Sequence, residues 1–373
     1  MKFTANRKTI FEALSNASKG AALKAMIPIL ANALFEANAE TGRIMITCTD
    51  LQQRVNVFFD AEVAFEGKAA IPVNKLLKML KNLKGADVTF DTDDKNNTTV
   101  TCGTTTAVLF GLPPTEFPEA REIAPETLFS IDVKILKDLI KHGAYAFDPN
   151  DSRSHLKGAL FDLQGNDIAV VSTDGKRLAK ATHTFTEPFA EAKQYIVPPF
   201  ALAFLQGLTG DKVSITFSEK QMFCMAGDIS YSSTLVQGNY PAYQRLIPEK
   251  CFYSLKINAE TLLAKMQTLS VVSDDNPYIS MTLDNEKIDF KSESISNGII
   301  TDSMNITPGA EQFENPMTIF FNPAFISSAL SACGGTGDFY FSFNSEVMPA
   351  RFDFGNGVIG IVVPIKRKGA ATK

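Results

Sequence analysis

The pattern that most constrains this chain is one that occurs three times along it. Each third of the 373 residues opens with a short apolar strand that runs into a segment with helical apolar spacing. A second helical segment follows a Pro or Asn in each third and ends in a glycine before an alternating strand; these glycines are Gly85, Gly210 and Gly337. Because self-similarity at a fixed period indicates one duplicated unit, the chain is predicted to contain three similar units.

The predicted fold class is α+β, with three repeated domains that each pack two helices on antiparallel sheet. The domain boundaries are predicted at 1–124, 125–249 and 250–373. Turn-forming residues typical of hairpins occur at Asp93–Asn97, Gln164–Asp167 and Phe354–Gly357. No Gly/Ser-rich or Pro-rich linker separates the thirds, so we expect them to abut rigidly. Strand–helix chains can produce such likeness by chance, but the shared order and spacing argue against that alternative.

The segments that end the thirds are apolar. The run Ile361–Ile365 is predicted to be the last strand, with alternate side chains on one face. Leu235–Leu246 and Leu109–Pro118, which close the second and first thirds, are long for simple connections. We therefore expect these closing segments to lie over domain boundaries.

Composition excludes several classes of protein. Hydrophobic residues make up 45% and charged residues 21%, as in ordinary globular chains. No window approaches 18 uncharged apolar residues and Met1–Lys8 has no apolar signal core, so a cytoplasmic location is expected. The net charge of −5 confines any contact with nucleic acid to one face. Five isolated cysteines indicate reduced thiols and no zinc site.

A search for catalytic motifs finds none. Gly334–Gly337 resembles a phosphate-binding loop only in its glycines, and the sequence has neither a G-x-S-x-G elbow nor an H-E-x-x-H motif. The acidic pairs Asp93–Asp94 and Asp274–Asp275 are interpreted as solvated loop residues. We expect no catalytic residues, no cofactor and no metal, and the chain is predicted not to be an enzyme.

One basic stripe stands out on the second helix of the first third. Lysines recur every three residues, at Lys75, Lys78, Lys81 and Lys84, with leucines on the other side. A weaker version, which includes Lys137 and Lys141, lies in the second third and is diluted by acids. Such a stripe suits a phosphate backbone, because lysine point charges position a duplex without reading bases. An ordinary solvated lysine face is the alternative.

The residues then match a known family. The segments that carry the match are Ile27–Asn32, Thr49–Leu51, Leu112–Pro118, Val171–Ala179, Gly238–Pro248 and Val363–Ile365. In this order they resemble the bacterial DNA polymerase III β subunits, the sliding clamps, over nearly the whole chain. The resemblance implies a head-to-tail homodimeric ring around double-stranded DNA. It also implies a non-catalytic processivity factor that tethers the replicative polymerase, the clamp loader and other proteins with a clamp-binding motif.

The resemblance also implies three groups of site residues. The partner-peptide cleft would comprise Leu156, Thr173, Gly175, Lys176, Arg177, Leu178, Pro241, Arg245, Leu246, Ile361, Val363, Pro364 and Ile365. Residues facing DNA would be Lys24, Asn150 and Arg153, beside the lysines named above, and the dimer interface would include Val108, Leu109, Val271 and Val272. The chain departs from better-known members at Ser154–His155, where those carry aromatic residues, and at Pro199–Phe200, which replaces a basic stretch.

Two rival interpretations stay open. A nucleic-acid enzyme could grip DNA through the lysine stripe, and nuclease or ATPase activity in the pure protein would support it. A monomeric, repeat-built peptide-binding scaffold would keep the cleft without ring closure, and the mass of the particle distinguishes it from a dimeric clamp.

Overall fold

The fold is taken from a computed structural model of the chain, which describes residues 1–22, 26–120, 127–272, 277–306 and 312–366. The α-helices are α1 (Arg7–Ala17), α2 (Val73–Asn82), α3 (Val133–Gly143), α4 (Pro199–Gln206), α5 (Ala259–Leu269) and α6 (Pro323–Ala332). Short 3-10 helices lie in the connections, among them Ser154–Leu156, Tyr243–Leu246 and Ser270–Val272. No helix in the described ranges is long and apolar enough to cross a membrane.

The strands of the first third are β1 (Lys2–Asn6), β2 (Asn32–Asn38), β3 (Arg43–Thr49), β4 (Gln53–Asp60), β5 (Glu62–Phe65), β6 (Gly67–Pro72), β7 (Asp87–Thr92), β8 (Asn97–Cys102) and β9 (Thr105–Phe110). Those of the second are β10 (Thr127–Asp132), β11 (Ala159–Gln164), β12 (Asp167–Thr173), β13 (Arg177–Thr184), β14 (Lys193–Val197), β15 (Lys212–Phe217), β16 (Gln221–Ala226) and β17 (Ile229–Thr234). Those of the third are β18 (Tyr253–Asn258), β19 (Ile279–Leu283), β20 (Lys287–Ser294), β21 (Gly298–Asn305), β22 (Met317–Phe321), β23 (Asp338–Phe343), β24 (Ala350–Asp353) and β25 (Val358–Val362).

Local chemistry explains where the helices begin. The side chain of Asn258 accepts a hydrogen bond from the amide of Thr261, so the predicted N-cap of α5 is confirmed. Asn6 and Asn322 cap α1 and α6 in the same way. Proline stands in the first turn of α6, where the missing amide needs no partner.

The chain divides into two compact units. The first unit comprises Met1–Val133 and Gly207–Leu235. It holds a five-stranded antiparallel sheet in the order β5-β1-β7-β8-β9 and an eight-stranded antiparallel sheet in the order β10-β15-β16-β17-β4-β3-β2-β6. Its core contains stacked phenylalanines, with the rings of Phe3 and Phe90 centred 4.8 Å apart.

The second unit comprises Lys134–Gln206 and the described chain from Val236 onward. One antiparallel sheet of eight strands has the order β14-β11-β12-β13-β25-β24-β23-β18, and a four-stranded sheet has the order β21-β20-β19-β22. Its largest core cluster is rich in fully buried phenylalanines, including Phe321, Phe339 and Phe341. Helix α3 ends at Gly143, close to β12. This position requires glycine, because a Cβ there would lie 2.2 Å from the carbonyl oxygen of Val170.

These observations confirm the α+β fold class, the repeated pairs of helices and the three predicted hairpins. The prediction that the last strand continues to Ile365 is wrong, because β25 ends at Val362. Pro364 has no amide to extend the ladder, and the amide of Ile365 donates instead to the carbonyl of Phe320 at 2.7 Å. The domain boundaries stay a prediction.

Candidate functional site

The predicted cleft is built around a tight turn between β12 and β13. The hydroxyl of Thr173 donates to the carbonyl of Arg177 at 2.6 Å and accepts from the amide of Gly175 at 3.0 Å. The Asp174 carboxylate accepts from the amides of Lys176 and Arg177. Gly175 has φ +84°, a conformation that suits glycine. The turn is therefore rigid and presents Gly175 and Lys176 to solvent.

The first repeat contains the same turn between β3 and β4. Thr49 donates to the carbonyl of Gln53 at 2.7 Å, and Asp50 accepts from the amides of Gln52 and Gln53. Leu51 stands where Gly175 stands in the second repeat, with φ +76°. The repeat thus extends to individual hydrogen bonds, and differences between the two sites come from side chains.

The C-terminal segment lies beside the Thr173–Arg177 turn. Strand β25 pairs with β13, which places Ile361 opposite Leu178. The amide of Val363 then donates to the carbonyl of Lys176 at 2.9 Å. These contacts bring two stretches of predicted cleft residues together, although nearly 200 residues separate them in the sequence.

Three of the predicted cleft residues are exposed apolar side chains, which we call the rim. Leu246 is 45% exposed, and Val363 and Ile365 are each 37% exposed. Two further exposed apolar side chains that were not predicted, Val347 and Met348, are 50% and 51% exposed in the loop before β24. They lie three and two residues before Ala350, the first residue of β24, which pairs with Val362. Their signal in the sequence was an apolar pair inside an otherwise polar loop.

Other predicted cleft residues lie beneath the rim. Leu156, Thr173, Leu178 and Ile361 are buried, at 1–3% exposed. Pro364 is also buried, whereas Pro241, Lys176 and Arg245 are exposed. The structure therefore places all thirteen predicted residues in one unit, as a buried floor and an exposed rim. The arrangement can bury an apolar peptide side chain against the rim.

Two of the three arginines predicted in this region, Arg177 and Arg153, already bond to groups within the protein. Arg177 donates to Asp174 at 3.0 Å and to the hydroxyl of Ser328 at 2.7 Å. Arg153, predicted to face DNA, forms an ion pair with Asp151 at 2.7 Å and donates to the carbonyl of Asp174 at 2.9 Å. The Arg153 guanidinium also lowers the pKa of the Asp151 carboxyl. Both arginines thus brace the turn.

The lysine stripe lies on the exposed side of α2. Lys75, Lys78 and Lys81 are exposed on the helix, and Lys84 is exposed just after it, while Leu76 and Leu80 are buried. Within the ranges that the structure covers, none of the four forms an ion pair. The stripe is therefore an uncompensated positive surface.

Further residues predicted to face DNA belong to the second unit. Lys141 is exposed near the end of α3 and Lys137 is half-buried. Asn150 is exposed in the loop before the 3-10 helix Ser154–Leu156, which carries His155. Helix α4, which begins with Pro199–Phe200, carries no charged residue. Lys24 lies outside the described residues.

Residues predicted at a dimer interface lie near two sheet edges. Val108 and Leu109 belong to β9, an edge strand, where Val108 is 51% exposed. Val271 is 76% exposed, whereas Val272 turns into the core. Exposed Phe110 on β9 and Ile299 on edge strand β21 were missed, because the sequence does not show which strands lack a neighbour.

The described residues contain no cluster of three or more His, Cys, Asp or Glu placed to hold a metal ion. Cys48 and Cys224 are buried, and burial raises the pKa of each thiol to about 12. At neutral pH these thiols are therefore protonated and serve as small core residues.

The chain is similar to known proteins over nearly its whole length. Residues 1–121 match the family model described as DNA polymerase III beta subunit, N-terminal domain, and residues 130–242 match the model of its central domain. The chain is 24% identical to the beta sliding clamp of Staphylococcus epidermidis, over 98% of this chain and 99% of that protein. It is similar to the crystal structure of the DNA polymerase III subunit beta from Pseudomonas aeruginosa, with TM-score 0.92, 22% identity, and coverage of 98% and 100%. The DNA polymerase sliding clamp from Bacillus subtilis gives TM-score 0.91 and 20% identity, with coverage of 99% and 100%.

Proposed function

The chain belongs to the DNA polymerase III beta subunit family, and we propose that it is a DNA sliding clamp that closes as a head-to-tail homodimeric ring around duplex DNA. The observation that carries the proposal is a repeated sheet junction. Strand β17 pairs with β4 and strand β25 pairs with β13, so each repeat joins the preceding one through equivalent strands. Strand β9 of the first repeat is the equivalent of β17 and β25. By the same rule it should pair with the equivalent of β4 and β13, which is β21 in the third repeat of a second copy.

The register of the two internal junctions is the same. At the first junction Arg54 pairs with Ser232. Leu178 is the equivalent of Arg54 in the second repeat, and at the second junction it pairs with Ile361. The equivalent positions on the free edges are Val108 on β9 and Ile299 on β21. A second copy that docks in this register would place these two exposed apolar residues opposite each other and cover both edges.

The proposed role of the lysine surfaces is to attract the DNA phosphates weakly, without tight contacts. A closed ring retains DNA by topology, so its lysines need only provide a modest positive field. Because binding by lysine releases counterions from the duplex, direct affinity would be weak and would fall steeply with salt. The net charge of −5, together with an uncompensated stripe on α2, supports local contact with phosphates.

The proposed role of the cleft is to dock partner proteins. Its rim offers apolar side chains at Leu246, Val363 and Ile365, and exposed Lys176 and Arg245 stand beside them. Such a surface suits a short apolar peptide that carries an acidic residue. We propose that the replicative polymerase, the clamp loader and other proteins with a clamp-binding motif use it. In this role the chain is a non-catalytic processivity factor that acts with DNA in the cytoplasm.

Light scattering after size exclusion tests the ring. A mass of twice 40.7 kDa that persists on dilution is expected. The dimer should then be loaded on nicked circular plasmid by a clamp loader and retained until the plasmid is linearised, since linear DNA lets a ring slide off. A stable monomer would contradict ring closure and favour the peptide-binding scaffold. Equal retention on circular and linear DNA would contradict the topological mechanism.

A further inference from the structure

A buried carboxylate lies beneath the segment that forms one side of the cleft. Asp162, on β11, is 3% exposed, and its Oδ2 accepts a hydrogen bond from the Tyr243 hydroxyl at 2.8 Å. The Gln244 side-chain amide lies 3.4 Å from the same oxygen. Its Oδ1 is buried and accepts no hydrogen bond from the described residues. Burying a charged group with one unsatisfied oxygen destabilises a fold, so this arrangement needs an explanation.

The phenol that meets Asp162 anchors the closing segment of the second repeat. In this segment, Leu235–Leu246, the amide of Val236 donates to the carbonyl of Ile196 at 3.0 Å. Tyr243 is 3% exposed and packs in a cluster with Leu160 and Ile361. The exposed cleft residues Arg245 and Leu246 follow it by two and three residues. The position of these two exposed residues therefore depends on where the ring of Tyr243 is held.

The first repeat provides an internal comparison. Its closing segment buries Phe117, which has no hydroxyl, over the equivalent face of the sheet. Glu36 occupies the position of Asp162 and forms an ion pair with Lys68 on the neighbouring strand instead. At the position of Leu178 stands Arg54, which donates to the carbonyl of Pro118 at 2.9 Å. The phenol–carboxylate pair thus occurs in the repeat that carries the cleft and not in its counterpart.

We infer that Asp162 is a positioning residue for the cleft, which acts through Tyr243 to hold the Pro241–Leu246 side in the shape that receives a peptide. A hydroxyl donor fixed by a buried carboxylate has one favourable geometry, whereas apolar packing alone allows the ring to slide. Holding the rim in advance removes the ordering cost from peptide binding. This inference rests on the proposed function of the cleft.

Peptide affinity measured on full-length variants tests this role. The probe is a fluorescein-labelled decapeptide centred on Leu-Asp-Leu-Phe, with its scrambled version as a blank, read by anisotropy well below the unfolding temperature. Tyr243→Phe keeps the ring and should weaken binding about tenfold. Tyr240→Phe is the matched control, because it also removes a hydroxyl from this segment. The Tyr240 hydroxyl lies 3.5 Å from the carbonyl of Val171 and does not bond to Asp162. It should change affinity less than about twofold.

Two further measurements separate positioning from mere stability. Asp162→Asn keeps an oxygen acceptor for Tyr243 and should lose less affinity than Asp162→Ala. Without peptide, hydrogen exchange of residues 237–247 should be faster in Tyr243→Phe than in Tyr240→Phe. If the wild-type protein does not bind the peptide, the proposed function is overturned along with this inference. Wild-type binding that Tyr243→Phe leaves unchanged would overturn the inference alone.

Discussion

The guanidinium carbon of Arg177 lies 4.9 Å from the centre of the Phe325 ring. Arg177 belongs to β13 and Phe325 to α6, so the contact ties the second repeat to the third within one unit. The same guanidinium bonds to Asp174 and Ser328, and it is 17% exposed. Although the resemblance placed Arg177 among residues that meet a peptide, its donors are used inside the protein.

Arg177→Lys should therefore destabilise the protein more than it alters direct peptide contacts. Lysine cannot stack its charge on Phe325 while it bonds two partners in a plane, so we expect the free energy of unfolding to fall by about 2 kcal/mol. Chemical denaturation at fixed protein concentration measures this loss. The matched control is Arg245→Lys at an exposed position. Equal effects of the two substitutions would show that the stacked geometry contributes nothing.

Ile365→Asp should abolish peptide binding and leave the dimer intact. Its side chain is 37% exposed on the cleft rim, while its amide is held by Phe320, so the backbone should keep its course. Burial of a carboxylate against an apolar peptide side chain should weaken affinity more than about tenfold. Anisotropy and light scattering measure the two outcomes. Phe65→Asp, at an exposed apolar position on β5, is the control that should bind normally. Unchanged affinity in Ile365→Asp would mean that the cleft is assigned wrongly.

A cysteine pair should report the register of the dimer interface. In the proposed pairing, Val108→Cys of one copy faces Ile299→Cys of another, at a separation of about 5 Å between Cα atoms that permits a disulfide. Oxidation should give a covalent dimer on non-reducing gels. Phe65→Cys with Ile299→Cys tests the other edge strand of the same sheet and should stay monomeric on the gel, as should oxidised wild-type protein. Cross-linking by the control pair alone would contradict the register.

The α2 lysines should set the salt dependence of DNA binding. Changing Lys75, Lys78 and Lys81 to Gln removes three exposed, unpaired charges. If each meets a phosphate, the slope of log K against log salt should become shallower by about 0.9 for each lysine lost. Binding to a short duplex across a salt series measures the slope. Lys95, Lys220 and Lys250, exposed elsewhere, give a charge-matched triple control. Equal slopes in both triple variants would support the interpretation of a merely solvated lysine face.

Buried thiols should make stability fall at high pH. The pKa of Cys48 and of Cys224 is raised to about 12 by burial, whereas an unfolded thiol ionises near about 8.5. Above that pH the unfolded state loses protons that the folded state keeps, so unfolding becomes more favourable as pH rises. Denaturation between about pH 8 and pH 10 measures the decline, which Cys48→Ala should reduce. At pH 8, rapid reaction of native Cys48 with Ellman's reagent would contradict this account.

Short-range features of the fold were predictable from the sequence. The cap at Asn258, the glycines after the second helices and the hairpin turns each depend on a few neighbouring residues. For that reason the three-repeat α+β pattern emerges from periodicity alone. The cleft residues came from a resemblance, and the structure brings them into one unit.

Long-range pairings were beyond sequence reasoning. The pairing of Arg54 with Ser232 joins strands far apart in the chain, and its register depends on which faces pack together. The exposure of Phe110 and Ile299 follows from those pairings, since only the sheet order shows which strands remain at an edge. The hydrogen bond between Asp162 and Tyr243 likewise requires the closing segment to fold back over β11.

The same turn serves both repeats, and the turn of the second repeat lies beside the segment that carries the exposed side chains of Val363 and Ile365. Where Val363 bonds to Lys176, the first repeat has Thr234 bonded to Gln52, and Arg54 and Pro118 occupy the neighbouring space. In the proposed ring, each chain would supply one docking place, and the two chains together would supply two. Polymerase, loader and other proteins would have to share these two docking places. Which protein occupies a docking place would then depend on the relative concentrations of the partners and on how long each stays bound.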